Sequence, residues 1–149
     1  MKTVKNHGIY LLLVLVFLAV TPAVEAEKGV WDAPKVLNLS DELYLAARRL
    51  KIECRRSPPK YLDEGTSGHI EFRYHVNHFA SISRDLSQAL ENGKSKKETQ
   101  PIYNILVNVM IDLERYAGRE VGGAWRPVSN AVLKANGYLT QLGEYYSKP

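Results

Sequence analysis

Four stretches of this chain repeat their apolar residues at alternating spacings of four and three, the period of one helix face. No other feature limits the fold as tightly. In the first stretch Leu39, Leu43, Ala46 and Leu50 recur between about Ser40 and Arg56. Ser40 reads as its N-cap, Asp41 and Glu42 suit the first turn, and Pro58-Pro59 stops it. The second starts near Thr66 or Ser67 and closes at Asn92-Gly93, with a stripe of Phe72, Val76, Phe79, Ser83, Leu86 and Leu90.

The third stretch begins around Pro101, or slightly earlier at Lys97 or Glu98. Ile102, Leu106, Val109, Leu113 and Tyr116 form its seam. Ile105, Val107, Met110 and Ile111 widen that surface, so this helix is expected to be the most buried of the four. The last follows Pro127, with Val128, Val132, Ala135, Leu139, Leu142 and Tyr146 in register. Its interior Gly137 and Gly143 each cost roughly 1 kcal/mol relative to Ala. No segment alternates with period two. The pattern predicts an all-α, antiparallel up-down-up-down four-helix bundle whose sequential helices are neighbours.

Ahead of the helices lie Lys2 and Lys5, an apolar run from Ile9 to Val20, and small residues at Val24 and Ala26. That order predicts a signal peptide over residues 1–26. The run falls short of the roughly 20 residues needed to span a bilayer. The expected mature chain is residues 27–149: one domain, exported to the periplasm or the extracellular space, with no transmembrane segment. Its single cysteine, Cys54, cannot form an internal disulfide, so the fold must hold by packing.

The formal net charge is +4. Without Lys2, Lys5 and Glu25 the chain keeps 18 basic and 15 acidic residues, a formal +3. A balance this mild does not fit a protein built to neutralise nucleic acid. Gly-x-Ser-x-Gly, His-Glu-x-x-His and the phosphate-loop pattern are all absent, so no enzyme is expected.

One constellation has the chemistry of a metal site. At about 100° per residue, Glu71, His75 and His78 share a helix arc of roughly 60°. A carboxylate and two imidazoles suit a divalent transition metal. Against this, bundle metal sites draw ligands from several facing helices, and only Glu53 or Asp112 is placed to help. Residues at such a core boundary are more often ordinary. Haem is the weaker variant, with Met110 opposite His75 or His69 as axial ligands.

The basic residues Arg48, Arg49, Lys51, Arg55 and Arg56 crowd the end of the first helix, where the helix dipole already favours them. The same charges suit an anionic partner, with Arg55 and Arg56 as contacts. Trp125, in the glycine-rich third connection, and Tyr138, Tyr145 and Tyr146 supply aromatic contact area. Cys54 is expected to be a buried hydrophobe that extends the first seam. The functional expectation is an exported, non-catalytic protein that binds another macromolecule, most simply a protein. The alternative is a metal- or haem-binding bundle.

Overall fold

The computed structural model describes residues 30–56, 67–117 and 126–147. Among them all regular structure is helical, without strands: α1 (Ala33–Arg56), α2 (Ser67–Glu91), α3 (Lys96–Ala117) and α4 (Arg126–Tyr146). The expected signal peptide, Pro58-Pro59 and Trp125 lie outside the described residues.

The start of α1 corrects the expected N-cap. The helix begins two turns before Ser40, where Asp32 Oδ1 accepts the Lys35 N–H at 3.1 Å and the Asp32 carbonyl accepts the Val36 N–H at 2.9 Å. Asp32 is the cap, and Pro34 occupies the first turn, where its missing N–H costs nothing. Ser40 is buried mid-helix, and its hydroxyl donates to the Leu37 carbonyl at 2.7 Å. The deciding residue is Val36: its complete burial rewards extending the seam one turn further back.

α2 ends as its sequence predicts. Gly93 has φ of +74°, its N–H donates to the Leu90 carbonyl, and the Lys94 N–H donates to the Ala89 carbonyl. Those two bonds satisfy carbonyls the helix end would otherwise orphan. α3 begins at Lys96, so Pro101 sits inside it and not at its start. The reason is a capping box: the Ser95 N–H and hydroxyl both donate to Glu98 Oε2, at 2.8 and 2.7 Å.

The helices share one core, which includes Val36, Leu43, Phe72, Phe79, Leu106, Leu113, Val132 and Leu142. α1 packs on α2 and α4, and α3 packs on the same two; among the described residues the backbones of diagonal helices do not come within 8 Å, Cα to Cα. Paired residues run in opposite order along neighbouring helices. Asp41 meets Ser87, Glu71 meets Tyr116, Thr99 meets Tyr146, and Trp31 meets Tyr146. Such packing is compatible with a bundle. The buried hydroxyls of Ser83, Ser87 and Thr99 all find partners.

α3 is not the most buried helix. Its buried positions are Thr99, Leu106, Val109, Met110 and Leu113, whereas Ile105 and Ile111 stay exposed. A helix with two neighbours covers only about half its circumference, so apolar residues added beyond that arc stay in solvent. Gly143 serves a close approach: a Cβ there would lie 2.8 Å from the Tyr103 hydroxyl, whereas one at Gly137 meets nothing.

Candidate functional site, a basic groove between two helices

The C-terminal half of α1 and the middle of α2 border a groove of about 400 Å³. The four-three seam of α1 turns Val36, Leu43, Leu50 and Cys54 inward. The adjoining side of the same helix therefore carries Tyr44, Arg48, Lys51 and Arg55 into the groove wall. From α2, Asn77, Ser81 and Arg84 form the opposite wall. Arg73 stands at one end, where a small extension reaches toward Cys54.

Among the described residues the charges in this groove are largely uncompensated. Among the described residues Arg48, Lys51, Arg55 and Arg73 have no carboxylate oxygen within 4.0 Å. Arg48 lies over the Tyr44 ring at 5.8 Å, which orients its guanidinium without neutralising it. Arg84 leans on its neighbour Asp85 at 3.6 Å. Four cations without a carboxylate partner among the described residues form a field that attracts anions, and the low-dielectric helix walls concentrate it.

The two residues expected as basic contacts part company. Both are exposed, but Arg55 lines the groove, whereas Arg56 does not and pairs weakly with Glu53 at 3.9 Å. The sequence reading missed the α2 wall. Arg73, Asn77 and Arg84 fall on one side of the Phe72–Phe79 stripe, but only pairing with α1 gives that side a meaning.

Cys54 is buried at 6 % exposure. Burial pushes its thiol above the ordinary value, and nearby Arg73 and Arg55 pull it only part of the way back. Such a thiol is a packing residue and a poor nucleophile.

Glu71, His75 and His78 lie on the other side of α2 with separate partners. Glu71 accepts a hydrogen bond from the Tyr116 hydroxyl on α3. His75 turns toward Asp112, with Nδ1 to Oδ2 at 3.9 Å, and its buried Nδ1 has no hydrogen-bond partner. His78 lies beside the Tyr74 ring, with centroids 5.5 Å apart. Among the described residues no three His, Cys, Asp or Glu side chains gather in an arrangement that would hold a metal ion. Met110 is core, at 2 % exposure.

Of the expected aromatic contacts, Tyr146 is buried. It donates to Thr99 Oγ1 at 2.8 Å and stacks on Tyr103 at 4.3 Å. Burial raises the hydroxyl pKa of both rings. Tyr145 sits under the Lys35 ammonium at 5.9 Å.

No helix among the described residues is long and apolar enough to cross a membrane. No family model, curated protein or solved structure matches this chain.

Proposed function

We propose that this chain is an exported, non-catalytic binding protein that holds an anionic macromolecule against the groove between α1 and α2. In this reading residues 1–26 are removed on export, and residues 27–149 act as one up-down-up-down bundle. The positive start, the short apolar run and the small residues at Val24 and Ala26 support export. The observation that carries the binding reading is the row of cations at Arg48, Lys51, Arg55 and Arg73, none with a carboxylate partner among the described residues. Like charges lining a concave surface raise the local concentration of an anionic partner.

The test compares the immobilised chain with its Arg48→Glu/Arg55→Glu variant for what each retains from the exported fraction of its host. A macromolecule held by the parent and released by the variant supports the reading. Equal retention by the two removes it. Trp125→Ala, in the same assay, asks whether the third connection adds contact area.

A second reading, a metal- or haem-binding bundle, has one specific observation in its favour: the unpartnered Nδ1 of His75 beside Asp112. Elemental analysis and an absorption spectrum of the native protein test it. A stoichiometric metal, or a haem band, that disappears in His75→Ala would establish it.

A further inference from the structure

We propose that two copies of this chain pair α4 against α4, antiparallel about a two-fold axis beside Ala135. The pairing goes beyond the binding reading and does not depend on what fills the α1/α2 groove.

A narrow stripe on the outer side of α4 carries the argument. Measured from the buried Val128 at 100° per residue, Leu133, Arg126, Glu144 and Gly137 lie at about 140°, 160°, 160° and 180°. All four are exposed, and Leu133, at 65 %, is the most exposed large apolar side chain among the described residues. Beside the stripe, Ile111 of α3 is 51 % exposed and lies on the same side of its helix as Tyr103 and Glu114, which meet Tyr146 and Asn136 of α4.

Three of the four stripe residues are unfavourable for α4 taken alone. Arg126 begins the helix and Glu144 lies in its last turn, each against the helix dipole. Neither has an ion-pair partner within 4.0 Å among the described residues. Gly137 weakens the helix interior relative to Ala, and a Cβ there would meet nothing within 4 Å, so no close approach inside the chain calls for it.

An antiparallel pair answers all three together. The spacings along the stripe are seven, four and seven residues, the same read from either end. A two-fold axis at their midpoint sets Leu133 on the partner's Gly137 and Arg126 beside the partner's Glu144, each contact made twice. The leucine fills the space that the missing Cβ leaves, and opposite charges meet at both ends. An unlike partner would need no such symmetry, so the stripe points to a second copy. Residues 99–111 of the neighbouring α3 hold no charged side chain, so no like charges are brought together there. The stripe is turned to the α3 side of α4, which leaves the groove between α1 and α2 open in the pair.

Sedimentation of the chain recovered from its host, over about 1–100 µM, reads the assembled mass. The parent should reach twice the chain mass. Gly137→Leu fills the space and should leave a monomer throughout. Arg126→Glu should weaken pairing about tenfold, because two exposed charge pairs turn repulsive. Arg126→Glu/Glu144→Arg exchanges the charges and should restore the pair. Arg48→Glu/Arg55→Glu should assemble like the parent. Melts of dilute samples check that each variant folds.

A parent that stays monomeric over the whole series would overturn the pairing and leave the stripe to an unlike partner. A dimer indifferent to both Gly137→Leu and Arg126→Glu would overturn it too, by placing the interface elsewhere. Failure of the charge exchange to restore pairing would rule out the antiparallel register.

Discussion

The two flanks of α2 carry similar kinds of residue and use them in opposite ways. Toward α3 the polar groups face one another: Tyr116 donates to Glu71, and Asp112 lies between Arg115 at 3.3 Å and His75 at 3.9 Å. Phe72 and Tyr116 add an edge-to-face ring contact at 5.9 Å. Toward α1, Arg48, Lys51 and Arg55 line a groove with no carboxylate partner among the described residues, and only Arg84 leans on an acidic neighbour, Asp85. Charges answered inside the molecule belong to the fold, and charges left unanswered are available to a partner. Residue type alone does not separate the two cases, since both flanks are amphipathic borders of the same seam.

The largest effect that probes this contrast is Phe72→Ala. Its ring is completely buried, and its removal should cost about 3–5 kcal/mol and loosen the Tyr116 contact. A denaturant melt measures it; a cost below about 1 kcal/mol would mean the α2/α3 flank holds without its ring pair.

The sharpest comparison is between Tyr116→Phe and Arg55→Gln. Losing the hydroxyl that serves Glu71 should cost about 1 kcal/mol. Losing the groove charge should change stability by less than about 0.5 kcal/mol while weakening binding. Equal stability costs would erase the distinction between the flanks.

Open and occupied surface differ in the same way on α4. Gly137→Ala should stabilise by up to about 1 kcal/mol, since nothing lies where the new methyl goes. Gly143→Ala should gain less or lose, because the Tyr103 ring, stacked on Tyr146, would have to shift. Thermal melts of the pair rank them.

The smallest effect is the pH response of the α3 start. The Ser95 hydroxyl and N–H hold the Glu98 carboxyl below its ordinary value. A carboxyl lowered on folding lends stability that is fully present above the unfolded value of about 4.3 and fades as pH falls through the lower folded value. Glu98→Gln should therefore flatten the acid side of the stability profile and leave the neutral side nearly parallel to the parent. Melts along a pH series check it. An unchanged acid slope would show that the capping box contributes little.

Much of the fold was legible because each helix records its buried face locally. The seam from Phe72 to Leu90 and the Asn92-Gly93 stop needed only one segment each to be read. The start of α3 was also written locally, in Ser95 and Glu98 three residues apart, although Pro101 drew the reading past it. The start of α1 was not, because Asp32 and Ser40 are both competent caps and only the burial of Val36 chooses between them. The exposure of Ile105 and Ile111 depends in the same way on how many neighbours α3 has.

The candidate site was half legible. The basic end of α1 is plain in the sequence as Arg48, Lys51 and Arg55, but a basic helix end has an ordinary explanation in the helix dipole. Tertiary structure set Asn77, Ser81 and Arg84 opposite those residues, and it turned Glu71 and His75 away to partners on α3. By itself the sequence determined helical period, the α2 stop and the inward seams, because these follow from spacing along one helix. Which charges meet and which stand alone was decided only when α1, α2 and α3 packed, because pairing depends on the rotation of each helix about its axis, and the shared core fixes that rotation.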